Sequence, residues 1–473
     1  MKQSLPRGLR LALALLPGAL LVGALLLAPV QADPPGTPSF SSPPAGGGFA
    51  QEPPPEKTLW DRVNDTTAAL LHREKSALRD ALSRAVGLLG VPAWHRAGYR
   101  GKGIKIAILD SGFRGYNAAI GKIFSPMMKV RSFRRDGRLD TRPSQHGILC
   151  SEIIHRLAPE AELLLATWEP DDPDAYMQAV RWARAQGANI LSCSIIMPTW
   201  SDGEGGGACH RAIQSLLGTG AQPGDGLFFA SAGNTALRHW AGSISPAKDG
   251  WHQWAAGKKD NGLRPRGKES VSVELYGTDG AAFELVVRDL TTGSIVGRSR
   301  SGSGEQDGHA VVHFHPQHGR HYTVRVRQIR SSTQRQSRGH FHLTVLGGRL
   351  QYTSRLGSIP FPGDGPEVIA VGAVDEHGNR QNYSSCGPNR LSPKPDLVAT
   401  VPFPSEWRPE QAFSGTSAAT PQAAALAALV WSRHPEWTAN QVRLALRVSA
   451  LRTTPGHNVE KGFGLLRLPA LGR

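Results

Sequence analysis

Five short apolar runs, separated by helical stretches, constrain this chain more than any other feature. They are "IKIAILD" (Ile104 to Asp110), "AELLLAT" (Ala161 to Thr167), "ANILSCSI" (Ala188 to Ile195), "GLFFASA" (Gly226 to Ala232) and "EVIAVGAV" (Glu367 to Val374). They are apolar nearly throughout, so each reads as a strand buried on both faces, the pattern of a parallel sheet. Stretches such as Asp174 to Gln186 and Cys209 to Leu217 supply helices to cross over and cover it. The expected class is α/β, a three-layer parallel-sheet domain. Between Trp251 and Leu350 the pattern changes to alternating strands, as in "ESVSVELYG", "HAVVHFHP" and "HYTVRVRQI", with turn signals between them. Residues 250–350 therefore read as an all-β sandwich inserted between α/β segments 89–249 and 351–473.

The N-terminus is different in kind. Lys2, Arg7 and Arg10 precede an apolar span from Leu11 to Val30, and small residues at Val30 and Ala32 complete the pattern of an export signal over residues 1–32. An uncleaved anchor is the alternative, because the span is long enough to cross a bilayer. Residues 33–56 are dominated by Pro, Gly, Ser and Ala and read as a linker. In residues 57–88 and just beyond, Val63, Leu70, Leu71, Leu78, Leu82, Val86 and Leu89 fall at helical spacing. This is a helical segment, either packed on the main domain or acting as a short pro-segment. A secreted protein, periplasmic or extracellular, is the expectation.

The formal charge of +16 suits an anionic envelope surface. The arginines are dispersed and no nucleic-acid-binding motif accompanies them, so no nucleic acid is expected. The four cysteines, Cys150, Cys193, Cys209 and Cys386, fit neither a disulfide scaffold nor a zinc knuckle. His313 with His315 and His340 with His342 each place two imidazoles on one strand face. Without a convergent carboxylate or thiolate in the sequence, these read as a solvated sheet face, and no metal site is assigned.

Four residues carry the chemistry. Ser417, in "FSGTSAATPQAAALAALV", stands where a wholly buried helix begins, so backbone N–H groups and the helix dipole favour negative charge beside it. Pro421 is expected to be tolerated near the first turn of that helix. Asp110 closes the first buried strand, at the carboxyl edge where open α/β sheets place their sites. His146 precedes Gly147 and an apolar helical stretch; Asn234 ends the strand of "FFASAGN". Singly these are a helix cap, a turn residue, a structural histidine and another turn residue.

Jointly, "ILDSG", "HG", "SAGN", "IAVGAVD" and "GTSAATP", in the order Asp110, His146, Asn234, Ser417, resemble the subtilases, the subtilisin-like serine peptidases. The resemblance covers about Leu89 to Thr235 and Gly357 to Leu466. It implies that Ser417 is the nucleophile, His146 its general base, Asp110 the orienting carboxylate and Asn234 an oxyanion donor. It further implies that Ser194, Ile195 and Ile196 hold the substrate backbone, with Ala232 and Gly233 as the opposite wall. Protein or peptide substrates are implied; no cofactor is required, and structural calcium is compatible. The insertion resembles, more weakly, bacterial pre-peptidase C-terminal domains. Ile148 stands where the family usually has Thr, and Ile196 and Met197 stand where Gly is common. Those departures keep open a second class, a non-catalytic binding or adhesin protein on the same scaffold.

Overall fold

The computed structural model describes residues 59–125, 128–140, 144–277, 281–302, 308–329, 339–390, 392–452 and 455–471. Nearly all of them belong to one compact unit, Asn64–Arg473; of the preceding unit, Met1–Val63, only the opening turn of the first helix is described. The expected signal peptide and linker lie outside the described residues. Among those residues, no helix is long and apolar enough to cross a membrane.

The chain runs α1 (Leu59–Leu88), α2 (Val91–Arg96), β1 (Lys105–Leu109), α3 (Tyr116–Ala119), β2 (Lys129–Phe133), α4 (His146–Leu157), β3 (Glu162–Trp168), α5 (Pro173–Ala185), β4 (Ile190–Cys193), α6 (Ala208–Leu217) and β5 (Leu227–Ser231). The α/β pattern resumes with β15 (Val368–Val374), β16 (Leu397–Thr400), α7 (Thr416–Arg433) and α8 (Ala439–Ser449), after β6 to β14 described below. The segment expected to be helical before residue 89 is the single helix α1, whose Leu78, Leu82, Ala85 and Val86 pack on the main core.

Seven strands form one parallel sheet in the order β16-β15-β5-β4-β1-β3-β2. β4 and β5 are buried along their whole length, as their unbroken apolar character requires. The order sets the site: β5, β4 and β1 are neighbours, so their carboxyl ends bring Asn234, Ser194 and Asp110 to one edge. β2 was missed in the sequence because it is an edge strand with exposed Lys129, Val130 and Arg131; β16 is only four residues long.

α7 is buried from Thr416 to Trp431 and packs on α4, β5 and β15. Its alanines allow that closeness. Pro421 lies inside the helix as its sixth residue, just past the first turn. Proline has no N–H, so the i−4 carbonyl, that of Ser417, loses its helical donor.

The remaining strands are β6 (His239–Ser243), β7 (Asn261–Pro265), β8 (Val271–Gly277), β9 (Ala282–Asp289), β10 (Ile295–Arg300), β11 (His309–Phe314), β12 (Tyr322–Ile329), β13 (His340–Leu346) and β14 (Gly348–Leu350). They pair antiparallel in two sheets, β10-β9-β12-β7-β14 and β11-β8-β13-β6, around a shared core that includes Val273, Leu275, Phe283, Leu285, Val324, Phe341 and Leu343. Antiparallel pairing starts at His239 rather than near residue 250, because β6 pairs with β13. The chain enters and leaves at one point: Ser354 N donates to His239 O at 2.8 Å.

The outward residues of β8 are also buried. Ser272, Glu274 and Tyr276 are each under 9% exposed, as this face meets the 3-10 turn Pro198–Trp200. His313 and His315 are exposed, as a solvated face requires, but His342 is fully buried. The solvated-face expectation is corrected there: the loop from Ser201 to Gly207 covers that end of the sheet.

Candidate active site

Asp110 follows β1 with its side chain wholly buried, and its Oδ1 accepts the Ser111 N–H at 2.8 Å. Its Oδ2 accepts from His146 Nδ1 at 2.8 Å. His146 is the first residue of α4, and its ring remains 24% exposed. Gly147 is sterically required after it, since a Cβ there would lie 2.4 Å from the Phe113 ring. The preceding Gln145 is clamped by Arg408, and the Phe413 ring stands edge-on to the imidazole at 5.4 Å. Burial alone would lower the pKa of His146; the Asp110 carboxylate outweighs it and holds the imidazole well above its ordinary value.

Ser417 is the second residue of α7 and 9% exposed. Its carbonyl, orphaned by Pro421, accepts Ser194 Oγ at 3.2 Å, with Cys150 Sγ at 3.7 Å. The Ser417 hydroxyl in turn donates to Ser194 O at 3.3 Å. Among the described residues no hydrogen bond joins Ser417 to His146, so the hydroxyl must rotate off Ser194 to use the imidazole as base. Cys150, on the turn of α4 after His146, lies 3.8 Å from Asp110 Oδ2. Burial raises its pKa, so it is a neutral thiol filling the space beneath the pair. All four cysteines are unpaired.

Asn234 Oδ1 accepts the Thr416 N–H at 3.1 Å and the Thr416 hydroxyl at 3.0 Å. With its oxygen so engaged, the amide presents Nδ2 toward Gly415, where a Cβ would lie 3.0 Å away. Gly415 has φ of +87°, so both its conformation and its neighbour exclude a side chain.

Ser194, Ile195 and Ile196 continue from β4 beside Ser417, while Ala232 and Gly233 follow β5 and are buried. Gly233 O is occupied by Ser385, and Gly233 lies against Pro360. The structure thus brings Asp110, His146, Ser194, Asn234 and Ser417 together and sets Ala232 and Gly233 in the supporting layer behind them.

Two features were missed in the sequence. A cleft of about 1110 Å³ opens beyond Ile196 and Met197, lined by Asp174, Glu204, Glu274 and His309 as well, and reaching none of Asp110, His146 and Ser417. Burial pushes Glu274 in it up to about 7. The second is His210, 3% exposed, bridging Asp364 at 2.9 Å and Glu367 at 2.6 Å. Burial alone would lower this pKa, but the two carboxylates push it up to about 10, so it is an imidazolium. Asp364 also accepts Ser201 Oγ and the Gly205 N–H, fixing the loop after the pocket wall. These partners lie more than 150 residues apart, and no local pattern announces them.

Parts of the chain are similar to known proteins. Residues 326–465 match the model of the Subtilase family. Subtilisin E of Bacillus subtilis (strain 168) is 36% identical over 115 residues, 24% of this chain and 29% of that protein. Alkaline elastase YaB of a Bacillus species is 34% identical over 122 residues, 25% of this chain and 31% of that protein. The chain thus spans about a third or less of the length of these curated relatives. In three dimensions it is similar to the CspB protease of Clostridium perfringens, with a TM-score of 0.58 at 16% identity, covering 82% of this chain and 95% of that one. Residues 326–465 are thus similar to the Subtilase family, and the chain shares its fold with the CspB protease.

Proposed function

We propose that the protein is an exported serine endopeptidase that hydrolyses peptide bonds through Ser417, His146 and Asp110. The observation that carries this reading is the 2.8 Å pair of His146 with a buried Asp110 on the edge where Ser417 opens α7. Ser417 Oγ attacks the scissile carbonyl as its proton passes to His146 Nε2, while Asp110 holds Nδ1–H and supports the imidazolium. The oxyanion is met by Asn234 Nδ2 and the Ser417 backbone N–H; losing such an amide costs about 10²–10³ in rate. The imidazolium then protonates the leaving amine, and water repeats the sequence on the acyl-enzyme. Ser194, Ile195 and Ile196 hold the substrate strand, protein or peptide, with Ala232 and Gly233 behind the opposite wall. The antiparallel layer is an accessory sandwich that positions substrate or an anionic envelope surface.

A specific observation favours a second reading. Ser417 donates to Ser194 rather than to His146, as a non-catalytic binding scaffold would permit. Turnover decides between them. Wild-type protein should cleave a denatured protein substrate catalytically, with activity falling about 10⁶-fold in Ser417→Ala. Stoichiometric binding without cleavage, or equal cleavage by the variant, would exclude the peptidase.

A further inference from the structure

Where the loop after Trp200 meets β13, three hydrogen bonds run in a chain whose protons do not balance. Ser354 O faces His239 Nδ1 at 2.9 Å, His239 Nε2 faces His342 Nδ1 at 3.0 Å, and His342 Nε2 faces Glu204 Oε1 at 3.2 Å. The terminal carbonyl and an ionised carboxylate can only accept. Each of the three contacts thus needs a proton from a ring nitrogen, whereas two neutral imidazoles carry one each. The chain lacks one positive charge. Either a third proton or a metal ion at the His342–Glu204 contact supplies it.

The surroundings favour the ion. His340 lies two residues before His342 on the same face of β13, and ligand atoms of Glu204, His340 and His342 all fall within 4.8 Å of one another. A shared proton has no need of a second imidazole. The 3.2 Å between His342 Nε2 and Glu204 Oε1 approaches the edge of a tetrahedron, about 3.3 Å for ligands at roughly 2.0–2.1 Å from zinc. Outer support is present: His239, fixed by the Ser354 carbonyl, faces the far nitrogen of His342, as partners of ligating histidines do. The His342 ring also stacks on Tyr276 at 5.1 Å and 6°. Gly203, with φ of +78°, delivers Glu204, and a Cβ there would lie 2.5 Å from the Tyr276 ring. Glu204 Oε2 accepts the Arg390 N–H at 2.6 Å, which aims Oε1 into the cluster.

We infer that Glu204, His340 and His342 form a site for a divalent transition metal, zinc by its two imidazoles and one carboxylate, that fastens the antiparallel layer to the loop beyond the pocket wall. Water completes the coordination. The Asp364 carboxylate holds Ser201 and Gly205 of the same loop, so the ion closes a clamp whose other half is already built.

The test uses the full chain, stripped with chelator and titrated with Zn²⁺ and with Co²⁺. It is done in a Cys150→Ala background, because Asp110, His146 and Cys150 form a second group able to take metal. One equivalent of Zn²⁺ should bind, Co²⁺ should show four- or five-coordinate ligand-field bands, and zinc should raise the unfolding temperature. Glu204→Gln and His340→Gln, both at half-buried positions, should weaken binding about tenfold or more while near-UV circular dichroism stays unchanged. His342→Gln should abolish it. Stoichiometric binding absent from the parent, or undiminished in Glu204→Gln and His340→Gln, would overturn the site and leave the missing charge as a proton.

Discussion

At the scale of the residue, the decisive contact is Asp110 with His146, and it sets a pH dependence. Burial would lower the imidazole pKa, yet the neighbouring carboxylate holds it well above the ordinary value. A general base works deprotonated, so kcat/KM should rise with pH along a limb centred above about 6.5. The sign is reversed for stability: the pair stabilises the fold below the ordinary histidine value and loses that contribution as pH rises through the raised one. In Asp110→Asn the limb should move down, with kcat lower by about 10⁴. A pH–rate profile measures both, and a wild-type limb at or below that of the variant would contradict the pairing. Asp110, His146, Asn234 and Ser417 were legible in the sequence because each sits in a short motif with a backbone reason, such as Gly147 against Phe113 or Gly415 against Asn234. Glu204 and His210 were not, because their partners come from distant segments.

At the scale of the element, α7 shows how a helix-breaking residue serves a site. Pro421 withholds an N–H from Ser417 O, and Ser194 Oγ takes its place at 3.2 Å. Ser194→Ala should therefore destabilise by about 1–2 kcal/mol, the cost of a buried carbonyl left short of a donor. Pro421→Ala restores the helical N–H, so in that background the same substitution should cost much less, a coupling that urea denaturation of the double-mutant cycle would read. Additive costs would show that Ser194 does not stand in for the helix. The parallel strands were readable because full burial writes them as unbroken apolar runs. β2 and β16 were not, being an exposed edge and a four-residue strand.

At the scale of the whole molecule, the chain passes into and out of the antiparallel layer at one neck, where Ser354 N meets His239 O at 2.8 Å. The alternation in the sequence revealed the layer but placed its start near residue 250, since β6 carries no alternating signal of its own. Excising residues 240–353 with a short Gly/Ser bridge should give soluble, folded protein, judged by gel filtration and thermal unfolding. Excising 250–350 should aggregate, because β6 loses β13 and Trp240 loses its place in the core. Equal behaviour of the two would refute the neck. The central claim, that Ser417 is a nucleophile activated by the Asp110–His146 pair, is tested most directly by a fluorophosphonate probe followed by peptide mapping. Covalent modification at Ser417 alone, lost in Ser417→Ala and much slower in His146→Ala, is the predicted result; active protein that never labels, or labelling that survives Ser417→Ala, would contradict it.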